Sequence, residues 1–63
     1  MLSDREREVL QLIAEGKSNK EVAQALDVAV STVESHRKHV MEKLDLHNTA
    51  AIVRFAVRKG LIR

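Results

Sequence analysis

The chain has 63 residues with no cysteine and no proline, and its formal charge at pH 7 is +2. A chain of this length folds as one small domain, residues 1–63, and it is too short to enclose a deep catalytic pocket, so we do not expect an enzyme. The missing cysteines exclude disulfides and thiolate metal sites, which suits a reducing cytoplasm. Residues 1–16 carry a net −2, so the positive charge lies in the rest of the chain, a distribution that favours an acidic partner such as nucleic acid.

No segment has the length or composition of a membrane anchor or a secretion signal. The longest apolar run covers residues 50–53, and the first residues, MLSDRERE, are charged. A membrane-spanning helix needs about 20 apolar residues, and a signal peptide has a long apolar stretch near its start. We therefore expect a cytoplasmic protein without a membrane partner.

The first two predicted helices begin at the same signal, Ser-x-x-Glu, which occurs as SDRE at residues 3–6 and as SNKE at residues 18–21. In such a capping box the serine oxygen accepts from the amide three residues later, and the glutamate accepts from the serine amide. The first helix covers about residues 3–15 and ends at Gly16, and the second covers about 18–26. Their core-facing side chains are Val9, Leu10, Ile13 and Ala14, then Val22, Ala23 and Leu26.

The third helix is predicted at about residues 30–45 and the fourth at about residues 48–59. A further Ser-x-x-Glu signal, STVE at residues 31–34, predicts a capping box for the third helix. Asn48 is the predicted start of the fourth helix and Gly60 its end. The core-facing side chains are Val33, Val40, Met41 and Leu44, then Ile52, Phe55 and Ala56, with Leu46 and Leu61 closing the ends of the core.

Four helices without a competing strand predict an all-α four-helix bundle. Only the residues DVAV, 27–30, separate the second helix from the third, so the chain must turn sharply there. A short helix, a tight turn and a longer helix with a polar outer face are typical of a helix-turn-helix. Helical hairpins without a ligand share this pattern, so the pattern alone leaves the function open.

Four motifs carry a resemblance to a known family. The first helix contains LSDREREVL, the second region contains GKSNKEVA, the third helix contains TVESH, and KL follows at residues 43–44. In this order and at these separations the motifs resemble the LuxR-type helix-turn-helix domain, the DNA-binding module that ends many bacterial response regulators and quorum-sensing activators. The resemblance covers essentially the whole chain.

The resemblance implies that the third helix is a recognition helix in the major groove of double-stranded DNA and that the second helix crosses the DNA backbone. It implies a homodimer on DNA, with RNA polymerase as a further candidate partner, and no cofactor, metal or small-molecule ligand in this domain. Bound to DNA, such a domain lies on the bacterial nucleoid. The expected base contacts are Glu34, Ser35 and Lys38; the expected phosphate contacts are Ser18, Asn19, Lys20, Thr32, His36 and Arg37; the expected dimer interface is Ala50, Val53, Arg54 and Val57.

Helix geometry agrees with the implied base contacts. At about 100° per residue from the core-facing Val33, the opposite side of the third helix is entirely polar. Lysine donates to guanine O6 or N7 and glutamate accepts from cytosine N4, so Lys38 is the first candidate for base recognition. The polar side consists of Ser31, Ser35, Lys38 and Glu42, with Glu34 and His39 at its edges.

The role of Glu34 stays open, because the family often has a lysine at this position. Glu34 is a base contact, the acid of the Ser31 capping box, or the ion-pair partner of Lys38. The start of the third helix also differs from the family pattern, because Ala29 stands where the family commonly has a serine N-cap. The lost cap lowers stability by about 1 kcal/mol unless Ser31 or Asp27 replaces it.

Two surfaces also allow more than one interpretation. Arg37 lies near the core-facing edge of the third helix, where its guanidinium either extends to a phosphate or stays solvated. In the fourth helix a second apolar stripe, formed by Ala50, Val53 and Val57, is either the remainder of a wide core face or a contact with a second copy.

Two other functions compete with DNA binding. A metal or proton-transfer site would need three or four converging ligands, whereas two of its candidate histidines, three residues apart, point about 60° away from each other on a helix. A protein-interaction module that keeps the helix-turn-helix shape without DNA is favoured by the acids Glu34 and Glu42 on the polar side. The candidate ligands of the metal site are His36, His39, Glu42 and His47.

Overall fold

The computed structural model describes residues 2–61, and the regular elements of that part are four α-helices. They are α1 (Asp4–Ala14), α2 (Asn19–Leu26), α3 (Val30–Leu44) and α4 (Thr49–Arg58). Each helix begins and ends within one residue of its predicted bounds, so the predicted all-α class with four helices is confirmed. Among the described residues, none of the helices combines the length and apolar character that a bilayer crossing requires.

The core lies where α1 packs against the three other helices, and α2 also packs against α3. The core-facing positions predicted for α1 are all buried, and partly buried side chains such as Leu46 and Leu61 cover its ends, as expected. Complete burial of a valine or leucine side chain contributes about 1.5–3 kcal/mol, so this cluster supplies most of the driving force for folding. The buried members are Val9, Leu10, Ile13, Ala14, Val22, Ala23, Val33, Val40, Ile52 and Ala56.

Two of the three predicted capping boxes are present. At α1, the Ser3 hydroxyl accepts from the Glu6 amide at 3.1 Å, and the Glu6 carboxylate accepts from the Ser3 amide at 2.9 Å. The pair Ser18 and Glu21 repeats these two bonds at the start of α2, at the same distances. At α4, the side chain of Asn48 accepts from the Ala51 amide at 2.8 Å, as predicted for an N-cap.

The capping box predicted at Ser31 and Glu34 is wrong. α3 begins at Val30 with Ala29 as its N-cap, and no side chain caps it. Ser31 therefore lies inside the first turn, where its hydroxyl is past the amides that a cap would bind. Neither Ser31 nor Asp27 replaces the missing cap, because Asp27 ends α2.

All four helices close on a residue in the left-handed conformation, with φ of 99° at Gly16, 56° at Asp27, 55° at Asp45 and 74° at Gly60. The two glycines were predicted, and the two aspartates were not. At each end the left-handed residue and its successor donate back to carbonyls of the last turn, as in a Schellman motif. After α2, for example, the Val28 amide donates to the Ala23 carbonyl at 3.0 Å.

The turn after α2 determines where α3 starts. Asp27 reverses the chain, Val28 packs its side chain against the core, and Ala29 already has the extended backbone of an N-cap residue. The helix-turn-helix angle thus comes from a three-residue connection between Leu26 and Val30.

An ion pair joins α1 to α3 at the edge of the core. Lys43 Nζ lies 2.8 Å from Glu6 Oε1, although the two residues are 37 positions apart in sequence. Hydrogen bonds from Lys43 and from the Ser3 amide lower the pKa of Glu6 from 4.5 to about 2. Glu6 is only 5% exposed, and a buried carboxylate is tolerated when it is paired in this way. One side chain therefore both caps α1 and fixes α3 against it.

Candidate nucleic-acid interface

The helix predicted to contact bases has one buried side and one exposed side. Val33 and Val40 are 0% and 1% exposed, and they hold α3 against the core. On the opposite side every side chain is exposed and polar, so this surface offers hydrogen-bond donors and acceptors along the length of the helix. We call this set the outer face of α3; it consists of Ser31, Glu34, Ser35, Lys38, His39 and Glu42.

Two of the three roles considered for Glu34 find no support in the geometry. Glu34 is not the acid of a capping box, because the N-cap of α3 is Ala29. Within residues 2–61 no ion pair joins Glu34 to Lys38. Both side chains are exposed and line one open groove along α3, so each is accessible to an external molecule.

The start of α2 is a second polar surface, and it faces the same groove through Asn19. Ser18 and Lys20 are exposed, and Asn19 is half-buried. The Ser18 amide and hydroxyl lower the pKa of Glu21 by hydrogen bonding to its carboxylate, so the capping box stays charged and intact at neutral pH. The remaining amides of this first turn lie at the positive end of the helix dipole, which suits an anion.

Arg37 connects three helices through its guanidinium. Its Nη1 donates to Asn19 Oδ1 at 3.2 Å, and its Nη2 donates to the Thr49 hydroxyl. Asn19 is the first residue of α2, and Thr49 is the first residue of α4. We call this arrangement the Arg37 bridge. Neither interpretation offered for Arg37, an extended phosphate ligand or a solvated side chain, included these two bonds.

Thr32 and His36 lie in the first half of α3, outside the set that forms its outer face. The Thr32 side chain is exposed, and its amide donates to the Ala29 carbonyl at 3.0 Å, which closes the first turn. His36 is half-buried. Both side chains remain candidates for contact with a backbone that crosses this end of the helix.

The histidines do not converge with other ligands in the part of the chain that the structure describes. In residues 2–61, no group of three or more His, Cys, Asp or Glu side chains is placed to hold a metal ion. His47 instead lies 3.2 Å from Asp45, and both side chains are strongly exposed. The described residues thus provide no ligand cluster that would support the alternative of a metal site.

The outer surface of α4 leaves part of its second apolar stripe uncovered. Val57 is 51% exposed, Ala50 and Arg54 are exposed, and Val53 is half-buried. Ile52 and Ala56, on the opposite side, are completely buried. The second stripe therefore belongs only partly to the core.

Sequence reasoning missed Thr49, which hydrogen-bonds to one of the candidate site residues. It is the partner of Arg37 on α4, and it lies 12 positions away from Arg37. The helical count places Arg37 near the core-facing edge of α3, where a side chain can meet neighbouring helices. No local pattern identifies which residues those helices bring to it.

Comparison with known proteins identifies the family. Residues 1–56 match the family described as bacterial regulatory proteins, luxR family. The chain belongs to this family, and it is a helix-turn-helix domain of the kind that binds DNA in transcriptional regulators. The resemblance inferred from the four motifs is thereby confirmed, and the family is one of regulators rather than of enzymes.

Three curated relatives illustrate the match. An uncharacterized response regulatory protein of Escherichia coli, YgeK, is 48% identical over 60 residues, which are 95% of this chain and 41% of that protein. The oxygen regulatory protein NreC of Staphylococcus carnosus is 48% identical over 62 residues, 98% of this chain and 29% of the relative. NreC of Staphylococcus haemolyticus gives the same identity and coverage. The chain thus spans less than half the length of the curated relatives it matches.

Proposed function

We propose that this domain binds double-stranded DNA in a sequence-specific manner, as the effector part of a bacterial transcriptional regulator, with α3 in the major groove. The observation that carries the proposal is the division of α3 into a buried apolar side and a continuous polar outer face. A major groove about 12 Å wide admits one α-helix, whose outward side chains then meet the base edges. In the whole regulator, contacts with RNA polymerase would add to DNA binding.

Base recognition is assigned to Glu34, Ser35 and Lys38. The Lys38 ammonium donates to guanine O6 or N7, the Glu34 carboxylate accepts from cytosine N4, and the Ser35 hydroxyl suits several edges. A carboxylate near phosphates weakens non-specific attraction. Glu34 therefore contributes to discrimination between sequences rather than to overall affinity.

Contacts with the DNA backbone are assigned to the start of α2 and to the adjacent part of α3. Ser18 is exposed at this helix end, where the amides of the first turn and the positive end of the helix dipole suit a phosphate. Lys20 is exposed and provides a cation at the same helix end. Each cation that neutralises a phosphate adds a salt-dependent term that does not depend on base sequence. The assigned residues are Ser18, Asn19, Lys20, Thr32 and His36.

Pairing of two domains on DNA is assigned to the exposed stripe of α4. Val57 and Val53 supply apolar surface, and Arg54 flanks it. A twofold or tandem pair of domains would contact two half-sites about one helical turn apart, which raises both affinity and specificity. The interface assigned to the second copy consists of Ala50, Val53, Arg54 and Val57.

Selection of bound duplexes from a random DNA pool tests the proposal. We expect the chain to enrich duplexes that share a half-site, with a fixed spacing if two copies bind together. Repeating the selection with Glu34→Gln should remove a preference for cytosine at one position and leave the other positions unchanged. If the wild-type chain enriches no sequence and retards no DNA even at low salt, DNA binding is wrong, and tight binding to a protein would then favour an interaction module.

A further inference from the structure

We propose that Arg37 orients the Asn19 amide for contact with a DNA phosphate and does not itself bind the phosphate. The inference rests on the proposed DNA binding and extends it to a residue that acts through another. Its basis is the Arg37 bridge, in which one guanidinium holds the first residues of α2 and α4.

The chemistry of the two groups fixes which end of the amide faces outward. A guanidinium has only donors, so the atom of Asn19 that faces it must be the carbonyl oxygen. The amide nitrogen, with its two protons, then points away from Arg37. A phosphate has only acceptors, so it requires the nitrogen and is repelled by the oxygen. Arg37 thereby keeps Asn19 in the one orientation that a DNA backbone can use.

The location of Asn19 suits such a contact. It is the first residue of α2 and half-buried, and it lines the same open groove as Glu34 and Lys38. A duplex that places its bases against the outer face of α3 brings a backbone past this groove. The free amide nitrogen then adds a donor next to the exposed amides and positive dipole end of α2.

The second half of the bridge keeps the guanidinium in place. Nη2 donates to the Thr49 hydroxyl, so the planar fork is fixed by two oxygens from different helices. An arginine suits this task better than a lysine, whose single ammonium lacks a fork of fixed geometry. Arg37 is accordingly a positioning residue, and two of its nitrogens already donate to protein oxygens.

A double-mutant cycle on the 63-residue chain separates positioning from direct contact. Binding to the duplex selected by the wild-type chain is followed by fluorescence anisotropy over a series of salt concentrations. We expect R37A and N19A each to weaken binding about tenfold, the effect of losing one hydrogen bond to a charged group. The double variant should be no weaker than either single variant by more than about twofold, because both changes remove the same contact.

The salt dependence provides an independent readout. A cation that binds a phosphate directly contributes about 0.9 to the slope of log affinity against log salt. K20A, the matched control, should lower the slope by this amount and combine additively with N19A. R37A should leave the slope nearly unchanged, since in the proposed arrangement Arg37 neutralises no phosphate.

Two further variants distinguish the loss of the Arg37 bridge from the loss of a positive charge and from a loss of folding. R37K keeps the charge and should weaken binding as much as R37A, with the same slope. T49V removes the α4 half of the bridge and retains the bond to Asn19, so it should weaken binding less than R37A. Circular dichroism and thermal melting establish that each variant is folded. If R37A does not fold, the binding of R37K distinguishes positioning of Asn19 from a direct phosphate contact.

Specific results would overturn the inference while leaving DNA binding intact. These are additive effects of R37A and N19A, a slope that falls in R37A as it does in K20A, or normal binding by R37K. A loss in T49V equal to that in R37A would assign the effect to α4 and not to Asn19. A wild-type chain that binds no selected duplex would instead contradict the proposed function itself.

Discussion

The two helices of the helix-turn-helix begin in opposite ways. α2 begins with a complete capping box, in which Ser18 and Glu21 each accept from the other's amide. α3 begins at Ala29, whose side chain caps nothing. Both helices nevertheless contain the same Ser-x-x-Glu pattern near their first turn. The Ser-x-x-Glu pattern therefore caps the backbone of α2, whereas in α3 its serine and glutamate do not cap the helix.

The preceding segment explains the difference. Before α2, Lys17 leads directly into the extended Ser18, so the serine is free to be the N-cap. Before α3, the left-handed Asp27 and the packed Val28 place the N-cap at Ala29, two residues before Ser31. Ser31 and Glu34 are thereby displaced from the cap to the outer face of α3. The geometry of the preceding turn thus determines whether a Ser-x-x-Glu motif caps its helix or presents its side chains to solvent.

The largest effect on stability is expected from Glu6, which belongs to a capping box, in contrast to Glu34, which does not. The pKa of Glu6 is lowered to about 2 in the fold, so its contribution to stability is complete above its ordinary pKa of 4.5 and is lost as pH falls toward 2. Glu6→Gln should lower the free energy of unfolding at pH 7 and flatten its dependence on pH in this window. Glu34→Gln should leave the free energy of unfolding at pH 7 unchanged. Urea unfolding of the wild type and of Glu6→Gln at a series of pH values, and of Glu34→Gln at pH 7, measures these effects.

The serines provide the next contrast. Ser18→Ala should lower the free energy of unfolding by about 1 kcal/mol, because the amide of Glu21 loses its cap. Ser31→Ala should change stability by less than about 0.5 kcal/mol, and in the direction of a gain, because alanine is the better helix former. Equal losses in urea unfolding would show that Ser31 does cap α3.

A smaller effect is expected from giving α3 the cap that α2 already has. Ala29 has φ −71° and ψ 150°, the extended backbone of an N-cap residue. Ala29→Ser should therefore raise the free energy of unfolding, by about 0.5–1 kcal/mol, without a change in the helix bounds. Thermal and urea unfolding measure the gain, and Ala29→Val is the control that adds volume without a hydroxyl. A gain in both variants would attribute the effect to packing.

The helices and the core were predictable because each corresponds to a pattern of residues close together in the sequence. Apolar residues recur with the helical period, Ser-x-x-Glu marks two starts, and Gly16 and Gly60 mark two ends. The other two ends were not predicted, since aspartate adopts the left-handed conformation only occasionally. Asp27 and Asp45 share one context, a leucine before and an apolar residue after, and this repetition is the signal that could have identified them.

The site was predictable only in part, for a similar reason. Counting along a helix shows that Ser35 and Lys38 face away from Val33, because the relation is local. It cannot show that Arg37 meets Asn19, 18 positions away, or that Lys43 meets Glu6, 37 positions away. Those contacts depend on how three helices pack, and packing angles are not encoded in any short motif.

In the proposed complex, α3 distinguishes base sequences while the start of α2 holds the DNA backbone. The most direct test of this division is the affinity of wild type, Lys38→Ala and Lys20→Ala for the selected duplex and for a scrambled duplex, at several salt concentrations. Lys38→Ala should reduce the preference for the selected duplex by about 1–3 kcal/mol, whereas Lys20→Ala should weaken both duplexes equally and lower the salt slope by about 0.9. Equal weakening of both duplexes by Lys38→Ala, with discrimination intact, would contradict the placement of α3 in the major groove.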